Sequence, residues 1–167
     1  MRFFIIIMLF LTSNIFAQNI SIGNVRSLFL KSAKDEKLCK ELVVLLADFN
    51  DLKNPILAAY QACGTMIMAS YLINPINKWQ HFSNGKTLLE KCVNAEKENV
   101  EIRFLRFSIQ SKSPSFLKYN SELQKDKIFI LNNLSELKDL QLKQIIVSFL
   151  KKSNQLTLAE KQILDSK

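Results

Sequence analysis

Arg103, Arg106 and Gln110 stand at i, i+3 and i+7, a spacing that puts all three on one face of a helix. Two guanidinium groups and an amide on one face can grip a carboxylate or a phosphate, because each guanidinium presents a planar fork of donors. Arginine is scarce here: Arg2, Arg26, Arg103 and Arg106 are the only four in a lysine-dominated chain. The competing reading is that the pair meets Glu101, Glu122 or Asp126 and locks two helices together. A second group lies upstream, where Asn74, Lys78 and Trp79 share a polar stretch with Asn77, His81, Asn84 and Lys86. The sole tryptophan and sole histidine there are candidates to line a binding site. The alternative places Trp79 and Phe82 on the preceding helix and leaves His81 partly wet.

Other chemistries lack their parts. One histidine argues against histidine-based catalysis and histidine metal sites. His81 with Met66 or Met68 is a poor haem pair without a CxxCH motif. The cysteines, Cys39, Cys63 and Cys92, form no CxxC and sit among apolar helical positions. They read as free, buried small hydrophobes rather than redox or zinc ligands, although Cys63 and Cys92 lie on helices expected to be neighbours. Three glycines cannot build a phosphate loop, and there is no GxSxG elbow. The acids scatter over helix ends without forming a catalytic pair. The expectation is no cofactor, no metal and no enzyme.

The elements that must position these residues are helical. Apolar residues recur at three- and four-residue steps, and strand-like alternation is scarce. The three prolines follow Asn54, Asn74 and Ser113, residues suited to cap a helix that begins with Pro. The pattern predicts helices over about Ile22 to Ala33, Glu36 to Phe49, Pro55 to Leu72, Pro75 to Ala95, Val100 to Ser111, Ser121 to Leu134 and Glu136 to Lys152. Ser113-Pro114 opens a short turn, and Thr157-Leu158-Ala159-Glu160 is a capping box that starts a terminal helix. Ser83-Asn84-Gly85 is a candidate kink. Leu42, Leu46, Leu88, Leu89, Phe104, Phe107, Ile128, Ile146 and Phe149 are the expected core. The fold class is therefore all-α, an antiparallel array of about seven or eight helices.

Export is read from the N-terminus. Arg2 precedes the apolar run Phe3 to Leu11, polar Thr12 to Asn14 follow, and Ala17 offers a cleavage site. The run is too short to span a bilayer. The expected organisation is a signal peptide over residues 1–17 and a single domain over 18–167, with no transmembrane segment after cleavage. No cysteine lies close enough to the run for a lipoprotein anchor. The formal charge of +8 comes mostly from lysines spread along the whole chain, which does not suit a nucleic-acid partner.

Gly85 to Asn99 resembles the second helix and exit turn of a tetratricopeptide (TPR) repeat, with Gly85 and Cys92 where two helices touch and Lys97 where the repeat usually has Pro. Over Asn54 to Tyr119, Asn54-Pro55, Tyr60-Gln61-Ala62, Asn74-Pro75-Ile76-Asn77-Lys78, Asn99 to Gln110 and Pro114 to Tyr119 are the distinctive motifs. On these the chain resembles a family of small exported helical proteins of flavobacteria and relatives. That resemblance implies export and an all-helical fold, and no activity. The first functional expectation is a non-enzymatic module of the periplasm or cell exterior that binds an envelope protein or peptide on the concave face of a TPR-like right-handed stack. The alternative is a carrier holding a lipid or small molecule between helices.

Overall fold

A computed structural model describes residues 20–165 of the chain, without the side chains of residues 163 and 165. The expected signal peptide lies outside the described residues. Eight α-helices and no strand are present among them: α1 (Ile22–Ser32), α2 (Glu36–Leu45), α3 (Pro55–Tyr71), α4 (Pro75–Ala95), α5 (Val100–Gln110), α6 (Leu123–Asn133), α7 (Leu140–Lys152) and α8 (Leu158–Asp165). A short 3-10 helix, Ser115–Leu117, joins α5 to α6. The fold is an all-α helical array. No described helix is long and apolar enough to cross a membrane.

Local chemistry sets the helix starts. Asn54 and Asn74 cap α3 and α4, and Pro55 and Pro75 occupy first-turn positions where a missing N–H leaves no bond unmade. Asp35, Asn99 and Asp139 accept backbone N–H donors at the starts of α2, α5 and α7. At α8 the Thr157 and Glu160 side chains satisfy each other's backbone N–H groups, as a capping box requires.

The core forms two clusters divided by α5. One gathers α1 to α4 around Val25, Leu42, Tyr60, Met66, Leu89 and Cys92, and takes Ile102, Leu105 and Ile109 from α5. The other joins Phe104 and Phe107 to Ile130, Ile146, Leu150 and Leu164. Nine residues of α5 are buried, because both of its sides are covered. Phe149 meets Phe104 and Phe107 edge to face, with ring centroids 5.4 and 6.2 Å apart. In the first cluster, α3 and α4 make the most extensive helix pair. Gly85 lies at their closest approach, where a β-carbon would fall 2.5 Å from Met66 Cγ and 2.6 Å from the Ala62 carbonyl oxygen.

Several expectations need correction. Ile128 is exposed, not core. The inward stripe of α6 is Asp126 and Ile130, continued by Leu134 just past its end, and two residues turn a helix by about 200°, so Ile128 faces out. Helix α7 starts at Leu140 rather than Glu136, because the Asp139 carboxylate caps it by accepting from Leu142 N. Helix α6 starts at Leu123, and α4 runs unbroken through Ser83-Asn84-Gly85. Leu88 and Phe149 are partly buried and pack against the clusters. The three cysteines are free and buried. Burial pushes the Cys39 and Cys92 thiols up to about 11 and the Cys63 thiol well above its usual range, so none is poised as a nucleophile.

Candidate functional site

The arginine pair is taken up inside the fold. Arg106 forks onto Asp126, with Nε 2.7 Å from Oδ2 and Nη2 2.8 Å from Oδ1, while its Nη1 donates to Glu90 at 2.7 Å. Arg103 Nε donates to the same Asp126 carboxylate, and its guanidinium stacks 4.5 Å from the Phe129 ring centre. The Tyr119 hydroxyl donates to the other Glu90 oxygen at 2.6 Å. The Asp126 side chain is fully buried, so this network fastens α4, α5 and α6 together in a region of low dielectric. Of the three acids considered as partners for the arginines, Asp126 is the one they meet.

A second buried network has the same plan. Arg26 forks onto Glu101 through Nε at 2.7 Å and Nη2 at 2.8 Å, and the Tyr60 hydroxyl donates to Glu101 at 2.7 Å. The remaining Arg26 donor reaches Asp139 at 2.8 Å. The hydrogen bond to Glu101 raises the Arg26 pKa above its already high range. Burial next to Glu101 pushes the Tyr60 phenol up as well, so it stays protonated. The leading N–H of Leu142 and the Arg26 guanidinium hold the Asp139 carboxyl below its usual range. These charges bind α1, α3, α5 and the start of α7 to one another.

Gln110 is also inward. It is buried, and neither its amide oxygen nor its amide nitrogen has a hydrogen-bond partner among the described residues. An unpaired buried amide costs about 1–3 kcal/mol. Gln110→Met, of similar length and without that amide, is therefore expected to raise the stability by about 1 kcal/mol in urea unfolding. A loss of stability would show that the amide is satisfied in solution.

The upstream group divides. Asn74 caps α4, accepting from Ile76 N at 2.8 Å. His81 is half-buried, with Nδ1 unpartnered among the described residues. Lys78 and Trp79 line an open groove of roughly 510 Å³ between α3, the first turns of α4, and the chain from Ile109 to Leu117. Trp79 does not pack down onto α3 as the sequence reading allowed: it is 61% exposed, while Phe82 is buried beneath. Pro75, Lys78, Trp79 and Phe82 stand at i, i+3, i+4 and i+7, so one stripe of α4 forms a wall of the groove. Met66, Ala69, Phe82 and Ile109 make a buried apolar floor. Phe116, 77% exposed, and Lys112 line the groove from the segment that follows α5.

Phe116 and Lys112 were not anticipated as site residues. The proline-anchored register of α4 was the available signal for its wall, since it fixes which side Lys78 and Trp79 share. Nothing in the sequence carries the juxtaposition with Phe116, which depends on how the 3-10 helix folds back. A second groove, roughly 530 Å³ between α1 and α7, is lined by Leu30, Ile145 and Phe149 together with polar side chains such as Ser27, Gln144 and Ser148. Its Arg26 is already committed to Glu101 and Asp139. The chain matches no protein-family model, no curated protein and no solved structure.

Proposed function

We propose that the protein is an exported, non-enzymatic helical module of the cell envelope that binds a segment of a partner protein in the Trp79–Phe116 groove. The observation that carries this reading is the exposed aromatic pair over a recessed apolar floor. Large apolar side chains left in water near one another mark interaction surfaces, and tryptophan is enriched among residues that dominate binding energy. Ile76 and Ile73, 67% and 95% exposed, lie beside the Pro75 wall and extend the apolar surface beyond the groove. The buried arginines are engaged with Asp126, Glu90 and Glu101, which leaves the groove as the better binding surface. Its volume also falls in the range of small-molecule sites, and this favours the lipid or small-ligand carrier as the second reading.

Native mass spectrometry of the protein gently isolated from its own envelope fraction tests this. The wild-type chain is expected to carry a partner protein that a Trp79→Ser/Phe116→Ser variant loses at unchanged melting temperature. Retention of the partner by the variant would refute the groove as the site. An added mass the size of a lipid would support the carrier instead. The chain mass in the same spectrum reads cleavage after Ala17.

A further inference from the structure

The charged side chains that line the groove are of one sign. Lys78 of α4 and Lys112 of the segment after α5 both line it, both are exposed, and neither forms an ion pair among the described residues. Among the described residues no Asp or Glu lines the groove. Two uncompensated positive charges thus flank an apolar floor, in a chain whose formal charge is already +8. An occupant that fills the site must cover Trp79 and Phe116 with apolar atoms and bring carboxylates to the two lysines.

We infer that the groove takes an acidic amphipathic helix of a partner protein, its apolar stripe on Trp79, Phe82 and Phe116 and its flanking Asp or Glu on Lys78 and Lys112. This rests on the proposed groove function and adds the partner's chemistry. The described residues offer no sheet edge to which an extended peptide could add as a strand. A helix satisfies its own backbone and asks the groove only for side-chain contacts, at i, i+3, i+4 and i+7. A second copy of this chain is disfavoured, because a two-fold contact through this face would set like charges against each other. A bilayer would touch the exposed rim and leave the recessed floor of Met66, Ala69 and Ile109 unfilled.

Trp79 is the only tryptophan, so its emission reports occupancy directly. Displayed random peptides of about 16 residues, long enough for several helical turns, are selected against the wild-type chain and against Lys78→Glu/Lys112→Glu. The wild type is expected to enrich peptides with acids flanking apolar residues at helical spacing. Those peptides should shift Trp79 emission to the blue, weaken as salt is raised, and bind the charge-reversed variant about tenfold less tightly. The variant should enrich basic peptides. Both lysines are exposed and unpaired, so its melting temperature should match wild type, and the salt dependence of the wild type gives the same information without any substitution. Enrichment of neutral or basic peptides by the wild type overturns the acidic partner while leaving the groove function intact. If no peptide shifts Trp79, the groove function fails with it. A shift produced by phosphatidylglycerol vesicles or dodecanoate alone replaces the protein partner with a membrane or an amphiphile.

Discussion

Asp126→Ala is expected to destabilise the protein by about 3–5 kcal/mol, the usual cost of stripping one partner from a buried ion pair. The carboxylate is fully buried and accepts from Arg103 and from two nitrogens of Arg106. Without it, Arg106 keeps only Glu90, and the guanidinium edge that faced α6 is left inside the protein unpaired. Asp126→Asn should cost nearly as much. It keeps the volume but replaces an accepting oxygen with a donor that points at donors. A typical domain has about 5–15 kcal/mol of stability in total, so either change removes a large part of it. Urea unfolding measures the loss, and a cycle with Arg106→Met separates a specific pair from a general packing defect. The double variant should recover part of the loss, because the buried Arg106 charge is no longer left facing an empty place, although Arg103 and Glu90 each still lose one partner. Strict additivity of the two single changes would show that the Arg106–Asp126 fork contributes little.

This network also marks where sequence reasoning stops. The helix starts at Pro55, Pro75 and Thr157 were legible because capping is local: Asn-Pro and Thr-x-x-Glu act within a few residues. The apolar stripes of α2, α5 and α7 were legible for the same reason, since periodicity is a property of one segment. Glu101 was offered only as a partner of Arg103 and Arg106, and Arg26 was given no partner, yet the two are buried on each other although 75 positions separate them. Nothing local distinguishes a charge that will find a buried partner from one that will stay in water. Asp126 turned inward and Ile128 outward by the same logic, because the arginines of α5 decided which side of α6 faces in. At the candidate site, Lys78 and Trp79 could be singled out by residue type. Their role as one wall of a groove follows only once Ile109, Lys112 and Phe116 arrive from another part of the chain.

The three glycines give a second large effect, and its sign is the informative part. Replacing a helical glycine by alanine ordinarily stabilises by about 1 kcal/mol, since alanine loses less backbone freedom on folding. At Gly85 that gain meets a collision. The new β-carbon would lie 2.5 Å from Met66 Cγ and 2.6 Å from the carbonyl oxygen of Ala62. Met66 can swing its flexible side chain aside, but Ala62 is backbone in the middle of α3, so the two helices must separate. Because α3 and α4 form the most extensive pair in the fold, separation loosens Leu89, Cys92 and Phe82 along with them. Overpacking of this kind costs about 1–3 kcal/mol and outweighs the propensity gain. Gly23 provides the opposite case: its added carbon would meet the Gln141 amide at 3.5 Å and the Ser21 hydroxyl at 3.7 Å, both ordinary contacts. Gly64 lies between, with an added carbon 3.2 Å from a Leu42 methyl and 3.3 Å from a Val43 methyl, close but short of collision. Thermal unfolding should therefore rank the variants with Gly23→Ala at or above wild type, Gly64→Ala near it and Gly85→Ala clearly below. A Gly85→Ala protein as stable as wild type would mean that α3 and α4 do not approach this closely, and the hairpin that carries the Trp79 wall would have to be redrawn.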